Sequence, residues 1–343
     1  MAVAINGKSR YTVAVDVMGG DNAPYEIVKG ALESARIREV DLVLVGEPEV
    51  IRGLLPDELG ENVKLAPSIG VIGENDHPVE ALKQKPEASI IVCAQLVKDK
   101  LADAYITMGS TGAAMAAGVM ALGTIEGIDR PALGGPFLGF APKTTLLDLG
   151  TSIDCRPSQL LGYGVLGSVF AKVFMGIHNP RVALLSVGSE EGKGNRQVRE
   201  AYGLFSQSGL NFIGNVEGVD VPLGKADVVV CDGFVGNILM KFAEGLGMTV
   251  VQYFKDFFSG TSSDLGEEIL GELSRLTNSV EHMGGGPLLG LDGVAIVGHG
   301  RSKAASVSAA IDMACRVLNT DLVNSMKYDL QEVRLRVNEN KEG

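Results

Sequence analysis

Short, unbroken aliphatic runs recur along this chain, and they constrain its fold more than any other feature. Val228-Val229-Val230 and Ala183-Leu184-Leu185 put apolar side chains on both sides of a pleat. A strand of that kind is buried on both faces. Alternation of such strands with helical stretches gives an α/β fold, with a mainly parallel sheet covered by helices on both faces. The pattern predicts strands at Tyr11–Val17, Asp41–Gly46, Val63–Ala66, Ala104–Thr107, Thr145–Leu149, Arg181–Val187, Asn211–Gly214, Asp227–Val230 and Val294–Val297. Helices are expected at Tyr25–Arg38, Ala88–Lys100, Gly112–Leu122 and Ser302–Leu318. No repeat and no Pro- or Ser-rich linker interrupts the series, so residues 1–330 read as a single two-lobed α/β unit. Residues 331–343 read as a charged flexible tail, a frayed helix followed by disorder.

Charge and sulfur narrow the function classes. Thirty basic against 42 acidic residues give a net charge of −12, which argues against nucleic-acid binding, since phosphate contacts supply most of that affinity. A local basic mouth for a small anion or an acidic partner stays compatible with it. Cys93, Cys155, Cys231 and Cys315 are far apart and read as reduced core thiols. His77, His178, His282 and His299 show no paired spacing, so no metal site is expected. Met1–Arg10 lacks the apolar core of a signal peptide. Ala104–Ile125 is uncharged but glycine-rich, and predicts a strand, a turn and a small-residue helix rather than a bilayer span. The expectation is a soluble protein.

Residues 243–283 carry two apolar stripes, Gly247, Val250, Val251, Phe254, Phe257 and Phe258, then Leu265, Ile269, Leu270, Leu273 and Leu276. They predict a helical hairpin broken at Ser259–Ser263. The hairpin packs in a dimer interface or lays its Phe-rich tip on a membrane, and the two readings are compatible, since a dimer can present its hairpin tips together.

Five glycine turns share a polar cargo: Asp16–Pro24, Met108–Gly112, Gly188–Asn195, Asp232–Asn237 and His299–Ser302. In an open parallel sheet such turns gather at the carboxyl ends of the strands, where ligands bind. Glycines let backbone N–H groups approach an anion, and helix N-termini add positive potential. The candidate binding residues are Asp16, Gly19, Gly20 and Asp21; Gly109, Ser110, Thr111 and Gly112; Asp232 and Gly233; and His299 with Ser302. Gly188 to Lys193 has the wrong spacing for a Walker loop, and Met18–Asp21 the wrong spacing for a dinucleotide fingerprint. Neither ATP nor NAD is indicated, and no cofactor is expected. Gly300–Ala304 fails as a nucleophile elbow, leaving Ser302 as the expected N-cap of the last helix. Lys193, between two glycines, is the sharpest single candidate; Glu190 and Glu191 either hold it or form a solvated cluster with it. The amide of Asn237 serves equally as helix cap or substrate ligand.

At these motifs the chain closely resembles the bacterial phosphate acyltransferase family, PlsX. The segments are AVDVMGGDNAP (Ala14–Pro24), GSTGA (Gly109–Ala113), RPALGG (Arg130–Gly135), LLDLGTSIDCRP (Leu146–Pro157), EEGKGN (Glu190–Asn195), FIGNVEG (Phe212–Gly218), ADVVVCDGFVGN (Ala226–Asn237), GGGPLLGLDG (Gly284–Gly293) and HGRS (His299–Ser302). The resemblance implies a dimeric fold akin to phosphotransacetylases and isocitrate or isopropylmalate dehydrogenases. It implies conversion of acyl–acyl carrier protein and inorganic phosphate to acyl phosphate, for a membrane glycerol-3-phosphate acyltransferase in phospholipid synthesis. It assigns essential roles to Lys193 and Asn237. Ser110 and Thr151-Ser152 stand where the family often has asparagine.

On this footing Lys193 is expected to hold phosphate and Asn237 to donate to the oxyanion or orient the phosphate. Backbone amides of Gly19–Asp21 and Gly109–Gly112 complete an anion cradle, while Asp16 and Asp232 fix loops. Arg196, Arg199, Arg301 and Lys303 are candidate cations for the acidic carrier. The rivals are a coenzyme-A-dependent phosphotransacetylase, a dehydrogenase of the related fold, and a non-catalytic membrane scaffold.

Overall fold

The computed structural model describes residues 10–258, 264–277 and 283–342. In chain order the elements are β1 (Tyr11–Asp16), α1 (Tyr25–Ile37), β2 (Val40–Gly46), α2 (Pro48–Arg52), β3 (Val63–Pro67), α3 (Pro78–Gln84), α4 (Ser89–Lys98), β4 (Ala104–Thr107), α5 (Thr111–Leu122), β5 (Ala132–Pro136) and β6 (Thr145–Leu147). They continue with α6 (Pro157–Val173), β7 (Val182–Leu185), α7 (Arg196–Gln207), β8 (Phe212–Val216), β9 (Val228–Val230), α8 (Gly233–Phe258), α9 (Asp264–Thr277), β10 (Gly286–Leu289), β11 (Val294–Val297), α10 (Ala304–Leu318) and α11 (Leu322–Glu342). The chain forms two compact units, residues 1–131 with 283–327 and residues 132–282 with 328–343.

In the first unit the strands run β3-β2-β1-β4-β11, all parallel, with Val13 opposite both Leu42 and Ala104, and Val294 also opposite Ala104. Strand β10 adds antiparallel to β11. Val13, Leu44, Ala104 and Ile296 are fully buried, as continuous apolar runs require. Helix α1 lies close on α10: a side chain at Gly30 would run into the Ala304 carbonyl, so only glycine permits the approach.

In the second unit β6, β9, β7 and β8 are parallel in that order, and β5 pairs antiparallel with β6. Helix α6 is buried from Leu160 to Ala171. Gly167 meets Val228 and Leu147, and Gly164 meets the ring of Phe205 from α7. Pro157 opens α6 at a position whose N–H would have had no partner in the helix, and Gln159 Oε1 accepts from the Arg156 N–H at 2.8 Å.

Several expectations are corrected. Strand β6 ends at Leu147, because from Asp148 the chain turns to wrap its own carboxylate. Ser302 is not the N-cap of α10: Lys303 holds that position, and Glu26 Oε2 accepts from the Ala304 N–H at 2.8 Å. The expected frayed tail is instead helix α11, which buries Val333 and Val337. Its apolar residues at three- and four-residue steps have a surface to cover. The break at Ser259–Ser263 and His282 lie outside the described residues. Ala104–Ile125 is β4, a turn and α5.

Phe205 is fully buried and joins α7 to α6. Phe205→Ala is expected to cost about 3–5 kcal/mol, read as a lower denaturant midpoint at unchanged slope; a loss below about 1 kcal/mol would show that α7 is not anchored through this ring.

Candidate active site

Three loops of the second unit leave the carboxyl ends of adjacent parallel strands. The loop after β6 is organised by Asp148, which is fully buried. Its Oδ2 accepts the Thr151 hydroxyl at 2.7 Å, the Ser152 N–H at 2.7 Å and the Thr151 N–H at 3.0 Å. Its Oδ1 accepts from the N–H groups of Leu133 and Gly150, each at 3.2 Å. Burial pushes this carboxyl above its usual range against the pull of those donors.

The loop after β9 enters α8. Asp232 Oδ1 caps the helix by accepting from the Val235 N–H at 2.8 Å, and the Gly233 N–H donates to Ser152 O at 2.7 Å. Side chains would not fit at either glycine of this turn. A Cβ on Gly233 would lie 2.8 Å from Asp148 Oδ2, and one on Gly236 would run into the Asp148 carbonyl. The helix N-terminus is thereby pressed against the loop after β6. Asn237 is exposed in that first turn beside Gly150, whose φ of 137° is one that glycine supplies. With Asp232 as the cap, the Asn237 amide does not fill that role.

The loop after β7 carries Lys193. Its N–H donates to Glu190 O at 3.0 Å, and Asn215 Nδ2 holds the same carbonyl at 2.9 Å. Asn195 caps α7 through the Val198 N–H at 2.9 Å, and Gly194 has a φ of 103°. The Lys193 side chain is exposed, with its stem folded over Gly188. Arg196 is paired with Glu200 at 2.6 Å, and Arg199 donates to Gly194 O.

Two of these loops each carry a buried thiol. Burial, then the carboxylates of Asp148 and Asp232, push Cys155 up to about 12 and Cys231 well above its usual range. Neither is a thiolate at neutral pH. The Ser152 hydroxyl is buried and accepts from the Tyr163 hydroxyl at 3.0 Å.

The first unit has its own set of carboxyl-end turns. Asp16 is buried; its Oδ2 accepts the Thr107 hydroxyl at 2.7 Å and its Oδ1 the Met18 N–H at 3.2 Å. Thr107 Oγ1 in turn accepts from the Gly109 N–H at 2.9 Å. Gly19 fits between them: a Cβ there would lie 2.6 Å from Asp16 Oδ2. The Asp21 N–H donates to Gly300 O at 2.8 Å, and Asn22 Nδ2 holds the Arg301 carbonyl at 2.9 Å. The N–H groups of Asp21 and Gly109, expected to point at an anion, are thus used inside the protein. Gly20 packs on Met108 O; Ser110 caps α5, whose first turn holds Thr111 and Gly112. His299 is half-buried, its carbonyl accepting from the Ser302 N–H, and Ser302 is buried.

Reading the sequence missed Asp148, Thr107, Asn22 and Glu26. For Asp148 a signal existed: an aspartate ends or follows an apolar run at Asp16, Asp148 and Asp232 alike.

A family model described as "Fatty acid synthesis protein" matches residues 11–325. A protein of Desulforamulus reducens named phosphate acyltransferase is 40% identical over 324 residues, covering 93% of this chain and 97% of the relative. One of Desulfitobacterium hafniense with the same name is 42% identical over 325 residues, with the same coverage of each. Among solved structures, a phosphotransacetylase from Streptococcus pyogenes aligns with a TM-score of 0.60 at 16% identity, covering 90% of this chain and 94% of that one. A phosphotransacetylase from Staphylococcus aureus gives 0.57 at 15%, again with 90% and 94%. At such identity these likenesses speak for the fold.

Thr107→Val removes the hydroxyl shared by Asp16 and Gly109 and is expected to cost about 1–3 kcal/mol. Asp16 is raised, chiefly by burial, so its contribution to stability is complete below about pH 4 and is lost as pH rises through the folded value. Losing a donor raises that value further. The deficit of the variant should therefore grow as pH rises and level off above the folded value, in denaturation series across pH. A deficit that shrinks with pH contradicts the assignment.

Proposed function

The chain belongs to the fatty acid synthesis protein family, and from that premise we propose that it transfers an acyl group from a thioester to inorganic phosphate. The observation that carries this reading is the placement of Lys193 and Asn237. They lie in the turns after β7 and β9, neighbouring parallel strands of one unit, and both side chains are exposed. The α8 N-terminus adds the positive end of a helix dipole beside Asn237.

A phosphate oxygen attacks the thioester carbonyl, forming the new C–O bond. The tetrahedral oxyanion collapses, the C–S bond breaks, and the thiolate leaves, gaining through solvent the proton that the phosphate gives up. Lys193 holds the phosphate and offsets charge as it develops. Asn237 donates its amide N–H to the oxyanion or orients the phosphate. Positioning and charge stabilisation supply the rate, and no enzyme nucleophile is needed, in keeping with the raised Cys155 and the buried Ser152.

Acyl carrier protein is the proposed thiol carrier, ahead of coenzyme A. The relatives named phosphate acyltransferase share about 40% identity with this chain, whose own family is described by fatty acid synthesis, whereas the phosphotransacetylases share 15–16%. The product is a reactive anhydride that an acyl acceptor must consume. This fits delivery to a glycerol-3-phosphate acyltransferase in phospholipid synthesis, from a cytoplasmic homodimer whose 243–283 hairpin touches the membrane. Tyr253 and Phe257, both exposed on α8, suit that contact.

The test is release of carrier thiol from palmitoyl–acyl carrier protein with and without phosphate, with acyl phosphate trapped by hydroxylamine. Release should depend on phosphate and be faster than from palmitoyl–coenzyme A. Lys193→Ala and Asn237→Ala are each expected to lower kcat/KM about 10²–10³-fold with unchanged melting. Wild-type rates in either variant remove that residue from the mechanism, and release without phosphate removes the reaction.

A further inference from the structure

One cavity of the second unit takes no part in the chemistry above. It measures about 350 Å³ and is walled by Phe137, Phe140, Leu239, Ala243, Val250 and Leu273, among others, none of them charged. That is the size and character of a small-ligand pocket. Helix α8 lines it with Leu239, Phe242, Ala243, Leu246, Gly247 and Val250. The steps of three and four residues mark one stripe of the helix, which a protein core would ordinarily cover. Here Phe242 is 66% and Leu246 52% exposed.

A second row leads to the cavity from the helix start. Phe234 and Ile238 are 55% and 52% exposed and continue, one turn at a time, into Phe242 and Leu246. The row begins in the turn that holds Asn237, and from Asn237 to Leu246 the helix rises about 14 Å. The walls are tied together. The Gly139 N–H donates to Leu276 O at 2.9 Å, and the missing side chain at Gly247 lets Thr277 of α9 close against α8.

We propose that this row and cavity hold the hydrocarbon tail of the transferred acyl group, an unbranched chain of about a dozen carbons at about 30 Å³ per water-sized group. The assignment rests on the acyl-transfer reading for the position of the carbonyl near Asn237. Three observations choose this occupant. The cavity has no charged wall, so it takes a tail and refuses a headgroup. It connects to the candidate active site through an apolar row. The family is described by fatty acid synthesis. The Gly247–Thr277 closure makes the cavity a ruler for chain length.

Two measurements on the full chain test this. The first is kcat/KM for acyl thioesters of increasing length. It should climb about fourfold per methylene and flatten near a dozen carbons. Ala243→Phe fills the cavity and is expected to lower the ratio of sixteen-carbon to six-carbon kcat/KM at least about tenfold, and Leu246→Trp should move it the same way. Unchanged ratios in both variants, with melting preserved, overturn the proposal. The second is equilibrium binding of cis-parinaric acid, a fluorescent long-chain fatty acid, which the parent should bind and Ala243→Phe should weaken. Probe binding that appears only on dilution to monomer also overturns it, because a second copy would then cover the cavity. Probe binding without turnover of any thioester supports the cavity assignment and sinks the acyl-transfer reading. Turnover with a flat length profile and no probe binding does the reverse.

Discussion

A carboxylate withdrawn from water must be given donors, and the loops of this protein are arranged around that requirement. Asp148 is fully buried and gathers the N–H groups of Leu133, Gly150, Thr151 and Ser152 with one hydroxyl. Removing such an acceptor would leave several donors unpaired at once, which is far more costly than any one bond is stabilising. The glycines of the next loop follow from it. Gly233 and Gly236 are required because α8 must begin against the backbone and carboxylate of Asp148. Asp16 plays the same part in the first unit through Thr107 and Met18. An excess of acidic residues thus coexists with candidate anion sites, since these two carboxylates are spent on the loops rather than turned toward a ligand.

How much of this could be read from the residues depends on whether a pattern has one cause. Strands β1, β4, β9 and β11 were legible because a run of aliphatics between turns has few other readings, and Ala104–Thr107 matched to the residue. Helix α6 was not, because burial on all sides erases the period of 3.6, and its glycines at 162, 164 and 167 look like breakers. They are contacts instead: Gly164 and Gly167 admit Phe205 and Val228. Strand β5, Ala132–Pro136, holds two glycines and a proline, and it is defined by pairing, as with β6, rather than by its residues.

The candidate site was legible in its exposed members and hidden in its supports. Lys193, between two glycines, and Asn237, directly after one, stand out because polar side chains in such turns have little structural work to do. The supports act over long sequence distances: Thr107 on Asp16, and Glu26 on the Ala304 N–H. No local pattern reveals such a pair. The misassignment of Ser302 shows the cost. A serine before a helical stretch is the ordinary N-cap, but a glutamate from α1 fills that role, and Ser302 is sunk in the turn.

On the acyl-transfer reading, helix α8 joins two kinds of recognition in one element. Its N-terminus is polar, glycine-bound to the Asp148 loop and capped by Asp232, while the face below carries Phe234, Ile238, Phe242 and Leu246 into an apolar cavity. An acyl thioester has the same division, a polar reacting end on a hydrocarbon tail. A direct transfer, with no covalent intermediate to store the acyl group, requires donor and phosphate to be held together at the moment of attack. The rate then depends on how firmly each is oriented. A tail gripped along the same rigid helix that presents Asn237 fixes the carbonyl without adding a charged group beside the phosphate. Binding energy from the unreactive end is thereby available to position the reactive one.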